Sequence, residues 1–108
     1  MRFKDFFKPN TSTKKVGNIT LSFKQEGKGW DAYIKATDRD GSPAGGATFT
    51  SDDGGKTYYA IDSYTYKGYK RKGLATAVFN FAKENGLNIV PSTDLSPDGR
   101  AFQKSYFK

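Results

Sequence analysis

Apolar and polar residues alternate along much of the chain. The apolar positions are odd-numbered over 18–26 and even-numbered over 30–37. A period of two is typical of strands with one buried face, so we predict a strand in each range. A weaker alternation over 44–51 and a Tyr-rich run over 57–66 predict two more strands.

Short glycine-containing turns separate these four segments. Asp40-Gly41 lies between the second and third, and Asp53-Gly54-Gly55 lies between the third and fourth. Such turns join neighbouring antiparallel strands. The pattern therefore predicts an antiparallel four-stranded meander, with Trp30 in its core.

The period changes after residue 73. Apolar residues then recur at helical spacing, at Leu74, Ala77, Val78, Phe81 and Ala82. Asn85-Gly86 is a helix stop, which predicts an amphipathic helix over 74–85.

The rest of the chain predicts one more strand and one more helix. Residues 87–90 are a short apolar run that ends at Pro91. Ser96-Pro97-Asp98 has the form of a helix start, so we expect a helix over 97–107. The predicted fold class is α+β, in the order β-β-β-β-α-β-α. Residues 16–108 form one domain, and residues 1–15 form an N-terminal segment whose part 9–15 is a connector.

The composition excludes several kinds of chemistry. The chain of 108 residues has no Cys and no His. Disulfides, thiolate or imidazole metal sites and Ser-His or Cys-His catalysis are therefore excluded, and we expect no metal. With no apolar run of about 18 residues we expect no membrane span and a cytoplasmic protein.

The charge is unevenly distributed. The chain carries +7 overall, yet residues 16–64 hold five basic and seven acidic groups. Residues 65–83 hold five basic groups and no acid. This local excess attracts polyanions such as nucleic acid or a phosphorylated cofactor, although it is also compatible with an ordinary solvated surface.

The loop before the first helix combines three features that suit a phosphate. Lys70, Arg71 and Lys72 are basic, and Gly73 has no side chain to block its backbone. The first amides of a helix lack internal partners and carry the positive end of the helix dipole. We therefore predict a phosphate or diphosphate site here.

The run Lys70-Arg71-Lys72-Gly73-Leu74-Ala75 resembles the diphosphate loop of the GNAT superfamily of N-acetyltransferases. That loop reads Gln or Arg, two residues, Gly, one residue, then Gly or Ala. Lys70 is a conservative departure. The order of elements over 18–107 is also similar to that family, although the N-terminal strand and helices that usually cover the acceptor side are missing.

The resemblance implies an acetyl-CoA site. Amides from Arg71 to Thr76 would hold the diphosphate, and the backbone of Ser63 and Thr65 would pair with the pantetheine arm. The implied cofactor-binding residues are Ser63, Thr65, Lys70, Arg71, Lys72, Gly73, Leu74, Ala75 and Thr76.

The resemblance also implies two catalytic residues. Members often carry an acid on the fourth strand, where Asp62 is nearest, and Asp62 could take a proton from an amine. Many carry an Asn at the start of the final helix and a Tyr seven residues later. Ser96 and Gln103 occupy those places here, and Tyr106, one turn further on, is the candidate acid. The alternatives are a solvent-facing Asp62 and a Tyr106 that packs on Phe102.

Three functions remain open at this point. The first is acetyl-CoA-dependent transfer of an acetyl group to an amine of a protein lysine, an N-terminus or a small molecule. The second is an inactive module of the same fold that binds nucleic acid or a protein through its basic loop and Tyr-rich strand. The third is an inhibitor that docks on another enzyme. A partner or a second copy could complete the open acceptor face.

Overall fold

In the part of the chain that the structure describes, five antiparallel strands form a meander and two helices accompany them. The computed structural model describes residues 10–25, 30–66, 68–69, 73–93 and 97–107. The strands lie side by side in chain order. The elements are β1 (Asn10–Val16), β2 (Ile19–Gln25), β3 (Ala32–Thr37), β4 (Pro43–Thr50), β5 (Tyr59–Thr65), α1 (Leu74–Glu84) and α2 (Pro97–Tyr106). The α+β class is confirmed, with five strands in place of four.

The extra strand is β1, which covers most of the segment expected to be a connector. It pairs with β2 over its full length, from Asn10 opposite Gln25 to Val16 opposite Ile19. The sequence of β1 is polar and shows no apolar alternation, so the strand was not predicted. Polar contacts attach it to the end of α1. The Ser12 hydroxyl donates to Asn85 Oδ1 over 2.6 Å.

The predicted strand over 87–90 is reduced to one parallel bridge, between Tyr58 and Ile89. The Tyr58 amide donates to the Asn88 carbonyl over 2.8 Å, and the Val90 amide donates to the Tyr58 carbonyl over 2.7 Å. The parallel pairing therefore begins at the start of β5 and does not continue along it within the described residues.

One face of the sheet, the packed face, carries the core. Direct neighbours across the strands share a face, and this face holds Leu21, Phe23, Ile34 and Phe49, each at most 2% exposed. Their burial confirms the alternation seen in the sequence. The other side, the open face, carries residues such as Ser22, Lys35, Thr48 and Tyr64, and no described helix packs on it.

The two helices join the packed face through Phe79 of α1. Its ring makes edge contacts with Phe49 at 5.1 Å, Phe102 at 4.8 Å and Tyr106 at 5.3 Å between centroids. The helical spacing of α1 predicts the buried Leu74, Val78, Phe81 and Ala82. Phe79 itself lies between the sheet and α2, so the aromatic cluster fixes where α2 sits.

Trp30 does not belong to the core, contrary to expectation. Its side chain is 51% exposed. It lies just before β3 and covers the turn between β4 and β5, where a Cβ added at Gly55 would lie 2.6 Å from the Trp30 ring. Among the described residues, no helix is long and apolar enough to cross a membrane.

Candidate active site

A cleft of about 790 Å³ lies between the C-terminal half of β5, the start of α1 and α2. One wall is the C-terminal half of β5, the end is the start of α1, and the other wall is α2. The lining residues are Ser63, Tyr64, Thr65, Tyr69, Gly73, Leu74, Ala75, Thr76, Asp98, Gly99, Ala101 and Phe102.

A β-bulge sets which side chains of β5 face the cleft. Thr48 lies opposite Asp62 and Phe49 lies opposite Ala60, so Ile61 is the extra residue. Beyond the bulge Ser63 pairs with Ala47 of the packed face, the side on which the helices pack. The bulge thus keeps Ser63 and Thr65 on the helix side and Asp62 on the open face.

Gly73 begins α1 in a left-handed conformation, with φ 77° and ψ 10°. Glycine adopts this conformation without the steric cost of a Cβ. The Ala77 amide donates to the Gly73 carbonyl over 3.0 Å, which closes the first turn. Among the described residues no side chain caps this end, and no acidic residue lies in the first turn.

The space in front of this helix end is open. A Cβ added at Gly73 would meet no described atom within 4 Å. The first-turn amides of Leu74, Ala75 and Thr76 lie at the cleft and at the positive end of the helix dipole. An anion can therefore approach the backbone here.

Tyr69 anchors the segment that leads into α1. Its hydroxyl donates to Asp38 Oδ2 over 2.5 Å, and its amide donates to the Tyr66 carbonyl over 3.0 Å. The hydrogen bond to Asp38 raises the pKa of Tyr69, and burial adds to the effect. The sequence analysis missed this pair, because a Tyr before the glycine motif and an Asp in a distant turn carry no shared pattern.

Gln103 holds the α2 wall in place. The side chain is 4% exposed, and its amide reaches the backbone of Ser92 twice. Gln103 Oε1 accepts from the Ser92 amide over 2.9 Å, and Nε2 donates to the Ser92 carbonyl over 3.2 Å. The residue that stands where relatives place a Tyr therefore makes structural hydrogen bonds to the segment after Ile89.

Asp62 lies exposed on the open face, directly opposite Thr48 and next to the cleft-lining Ser63. Its charge reaches the neighbouring Tyr64, whose pKa is raised first by burial and then by Tyr66 and Asp62. Asp62 therefore does not line the cleft, and its exposed side chain lies on the opposite face of the sheet from Ser63.

The side chain of Tyr106 does not line the cleft. Its hydroxyl donates to Asn80 Oδ1 over 2.6 Å, and Lys83 Nζ lies 4.6 Å from the centre of its ring. It packs on Phe79 and Phe102 and is not one of the residues that line the cleft. The geometry therefore separates the two residues that the resemblance paired as catalytic.

The predicted cofactor-binding residues come together. Lys70, Arg71 and Lys72 lie outside the described residues. The other six all line the cleft: Ser63, Thr65, Gly73, Leu74, Ala75 and Thr76. Tyr69 and residues of α2 complete the lining of the cleft. The sequence predicts helix α2, but no motif indicates that α2 or Tyr69 lines this site. Among the described residues, no three acidic side chains lie close enough to hold a metal ion.

Comparison with known families agrees with this geometry. Residues 4–96 match the family model described as the acetyltransferase (GNAT) family. No curated protein and no solved structure matches the sequence.

Proposed function

The chain belongs to the GNAT family of acetyltransferases, and we propose that it transfers an acetyl group from acetyl-CoA to an amine. The acceptor amine belongs to a protein lysine, a protein N-terminus or a small molecule. The observation that carries the proposal is the cleft itself, in which six residues expected to bind the cofactor meet.

The start of α1 fits the diphosphate of CoA. Gly73 leaves its backbone accessible, and the helix end has no side-chain cap among the described residues. Two or three first-turn amides can therefore donate to phosphate oxygens, each contributing roughly 1.5–3 kcal/mol. Lys70, Arg71 and Lys72 belong to the same loop and add positive charge.

The edge of β5 fits the pantetheine arm. β5 is the last strand of the sheet, and Ser63, Tyr64 and Thr65 line the cleft beyond the bridge at Tyr58. A strand edge offers alternating amides and carbonyls to an extended chain with amide groups of its own. Phe102 and Ala101 on the α2 wall supply an apolar surface for the methylenes.

When bound, acetyl-CoA supplies a thioester whose carbonyl carbon can accept an amine nitrogen. The chain's own residues orient the two reactants and exclude water, which is the main requirement of a direct transfer. Asp62 lies on the open face, next in β5 to the cleft-lining Ser63, so an amine that approaches β5 from that face can give its proton to this carboxylate. Tyr106 has no part in the proposal, since it binds Asn80.

A melting experiment with a matched pair of variants tests the cofactor site. Acetyl-CoA at about 100 times its Kd should stabilise the parent by roughly 2.7 kcal/mol, or about 10 °C in a domain of this size. Gly73→Leu should abolish the shift. Gly54→Leu is the control, because Gly54 has nearly the same φ, 75°, and equally open surroundings far from the cleft. A parent that melts at the same temperature with and without millimolar acetyl-CoA refutes the proposal.

Asp62→Asn separates binding from catalysis. We expect acetyl-CoA to bind the variant as it binds the parent, while kcat for an amine substrate falls roughly 10²–10⁴-fold. Asp52→Asn, on an exposed carboxylate that accepts from Tyr59 over 2.7 Å, is the control. Equal loss of kcat in both variants would show that Asp62 has no specific role.

A second function rests on the open face. Tyr33, Tyr64 and Tyr66 are 44%, 41% and 47% exposed there, and Lys15 and Lys35 lie on the same side. Aromatic rings among cations can stack single-stranded bases, as an inactive module of this fold would do. Oligonucleotide binding that weakens steeply with salt, with no CoA binding, would favour this alternative.

A further inference from the structure

One hydrogen bond ties the segment before α1 to the turn between β3 and β4. It joins the Tyr69 hydroxyl to Asp38 Oδ2 over 2.5 Å, across 31 positions of the chain. Tyr69 lines the cleft, whereas Asp38 does not. The turn therefore contacts the cleft lining at this point through the side chain of Tyr69.

Asp38 is itself held by the backbone of its turn. Its amide donates to the Ser42 carbonyl over 2.7 Å, and the Gly41 amide donates to its carbonyl over 2.9 Å. Asp38 Oδ1 accepts from the Arg39 amide, which leaves Oδ2 for Tyr69. A side chain that is fixed by several hydrogen bonds can hold its partner in one place, so Asp38 is suited to anchor Tyr69.

Leu74 anchors the same region on the far side of Gly73. A Cβ added at Gly45 of β4 would lie 3.1 Å from Leu74 Cδ2, so this glycine lets Leu74 approach the sheet closely. Only four residues of the sequence separate Tyr69 from Leu74, and Gly73 is one of them. The two anchors therefore limit where the backbone of Gly73 can lie.

The charge of Asp38 works against the ligand that we propose at Gly73. Both residues border one concavity of about 330 Å³, and a carboxylate near a diphosphate repels it. What Asp38 can add in favour of binding is its hydrogen bond to Tyr69. Resting on the proposed function, we infer that Asp38 is a positioning residue. Through Tyr69 it holds the start of α1 where the first-turn amides can donate to the diphosphate.

Two tyrosines allow a matched test. Tyr69→Phe and Tyr59→Phe each remove a hydroxyl that donates to an aspartate, since Tyr59 donates to Asp52 Oδ2 over 2.7 Å and does not line the cleft. In titration calorimetry Tyr69→Phe should weaken CoA binding roughly 3–10-fold, which corresponds to one hydrogen bond, and Tyr59→Phe should leave it unchanged. With an amine substrate, KM for acetyl-CoA should rise by the same factor while kcat stays within about twofold.

Two substitutions of Asp38 separate its charge from its hydrogen bond. Asp38→Ala removes both, and it should weaken CoA binding as Tyr69→Phe does. Asp38→Asn removes the charge but keeps a polar partner, because its side-chain amide can donate to the Tyr69 hydroxyl oxygen. Asp38→Asn should therefore restore the CoA binding that Asp38→Ala loses. If Asp38→Ala binds CoA more tightly than the parent, the charge alone acts and the positioning role is overturned.

Hydrogen exchange in the free protein tests the helix start without any ligand. The Ala77 amide donates to the Gly73 carbonyl over 3.0 Å. It should exchange roughly 3–10-fold faster in Tyr69→Phe than in the parent and at the parent's rate in Tyr59→Phe. A parent that binds no CoA refutes the proposed function, and the role of Asp38 in binding with it. If the parent binds CoA but Tyr69→Phe binds it equally tightly, or if the Ala77 amide exchanges at the same rate in both, the cleft assignment stands and only the positioning role is overturned.

Discussion

The two faces of the sheet are held by different forces. The packed face is closed by α1 and α2 around Phe23, Phe49 and Phe79, each at most 1% exposed. The open face presents Thr48, Asp62 and Tyr64, of which Asp62 and Tyr64 are exposed. Apolar burial stabilises the first face, whereas local hydrogen bonds organise the second and its turns.

The two faces contribute different parts of the candidate site. The packed face positions the helix start and α2, which line the cleft that we propose to hold the cofactor. On the open face Asp62, Tyr33 and Tyr64 are exposed, and this is the face from which we propose that the acceptor amine approaches. Successive residues of β5 point to opposite faces, and the bulge at Ile61 sets Ser63 on the packed face and Asp62 on the open face.

The largest difference in the free energy of unfolding should appear when one aromatic side chain is removed from the packed face and one from the open face. Phe79→Ala empties the centre of the cluster that joins β4, α1 and α2, and should cost about 3–5 kcal/mol of the free energy of unfolding. Tyr33→Ala on the open face should cost less than about 1 kcal/mol. Urea unfolding measures both, and similar losses would contradict the division between the faces.

Gly46 is a tightly packed position on the open face. A Cβ there would collide with the backbone carbonyl of Ile34 and lie 2.9 Å from the Tyr64 hydroxyl. Gly46→Ala should therefore cost about 1–3 kcal/mol. Because the nearest atom belongs to the backbone, adding Tyr64→Ala should not restore stability. Recovery in the double variant would show that the ring is the obstacle.

Much of the fold can be predicted from the sequence because the apolar residues of the packed face recur at regular spacing along the chain. The sequence predicts strands β2 to β5 and helix α1 within about two residues of their ends. β2, β3, β4 and α1 show alternating or helically spaced apolar residues, and β5 is rich in Tyr, which favours strands. β1 was missed because Ser12 and Lys14 attach it to α1 through polar contacts, which leave no apolar period.

The site could be predicted only where it follows a local motif. The glycine loop identified Gly73 to Thr76, and the preceding strand identified Ser63 and Thr65. Tyr69 with Asp38, and Gln103 with Ser92, join residues 31 and 11 positions apart. Such pairs depend on how the elements pack, so no sequence spacing indicates them.

Asp53 stabilises the turn between β4 and β5 without apolar burial. The Thr57 hydroxyl donates to Asp53 Oδ2 over 2.6 Å, and the Thr57 amide and the Ser51 hydroxyl donate to Oδ1. These bonds, those from Thr57 foremost, lower the pKa of Asp53 to about 2. The contribution is therefore complete above the ordinary pKa of 3.8 and is lost as the pH falls towards 2.

Asp53→Asn should accordingly melt below the parent at pH 6, and the difference should shrink steadily between pH 4 and pH 2. Thr57→Val keeps the backbone donor and loses the hydroxyl, so it should show part of the same change. Melting curves across this range measure both. A difference that is constant with pH would show that the charge of Asp53 does not stabilise the turn.

The smallest effect is expected at the ion pair between β1 and α1. Lys14 Nζ lies 2.8 Å from Glu84 Oε1, but the two side chains are 44% and 47% exposed. Exposed pairs contribute about 0–1 kcal/mol and are screened by salt, so Glu84→Gln should cost no more than this at low salt and nothing at 1 M NaCl. Ser12→Ala removes the neighbouring neutral bond to Asn85 and should cost a similar amount at either salt concentration. A loss in Glu84→Gln that persists at high salt would mean that packing of the side chain, and not its charge, holds β1 to the helix.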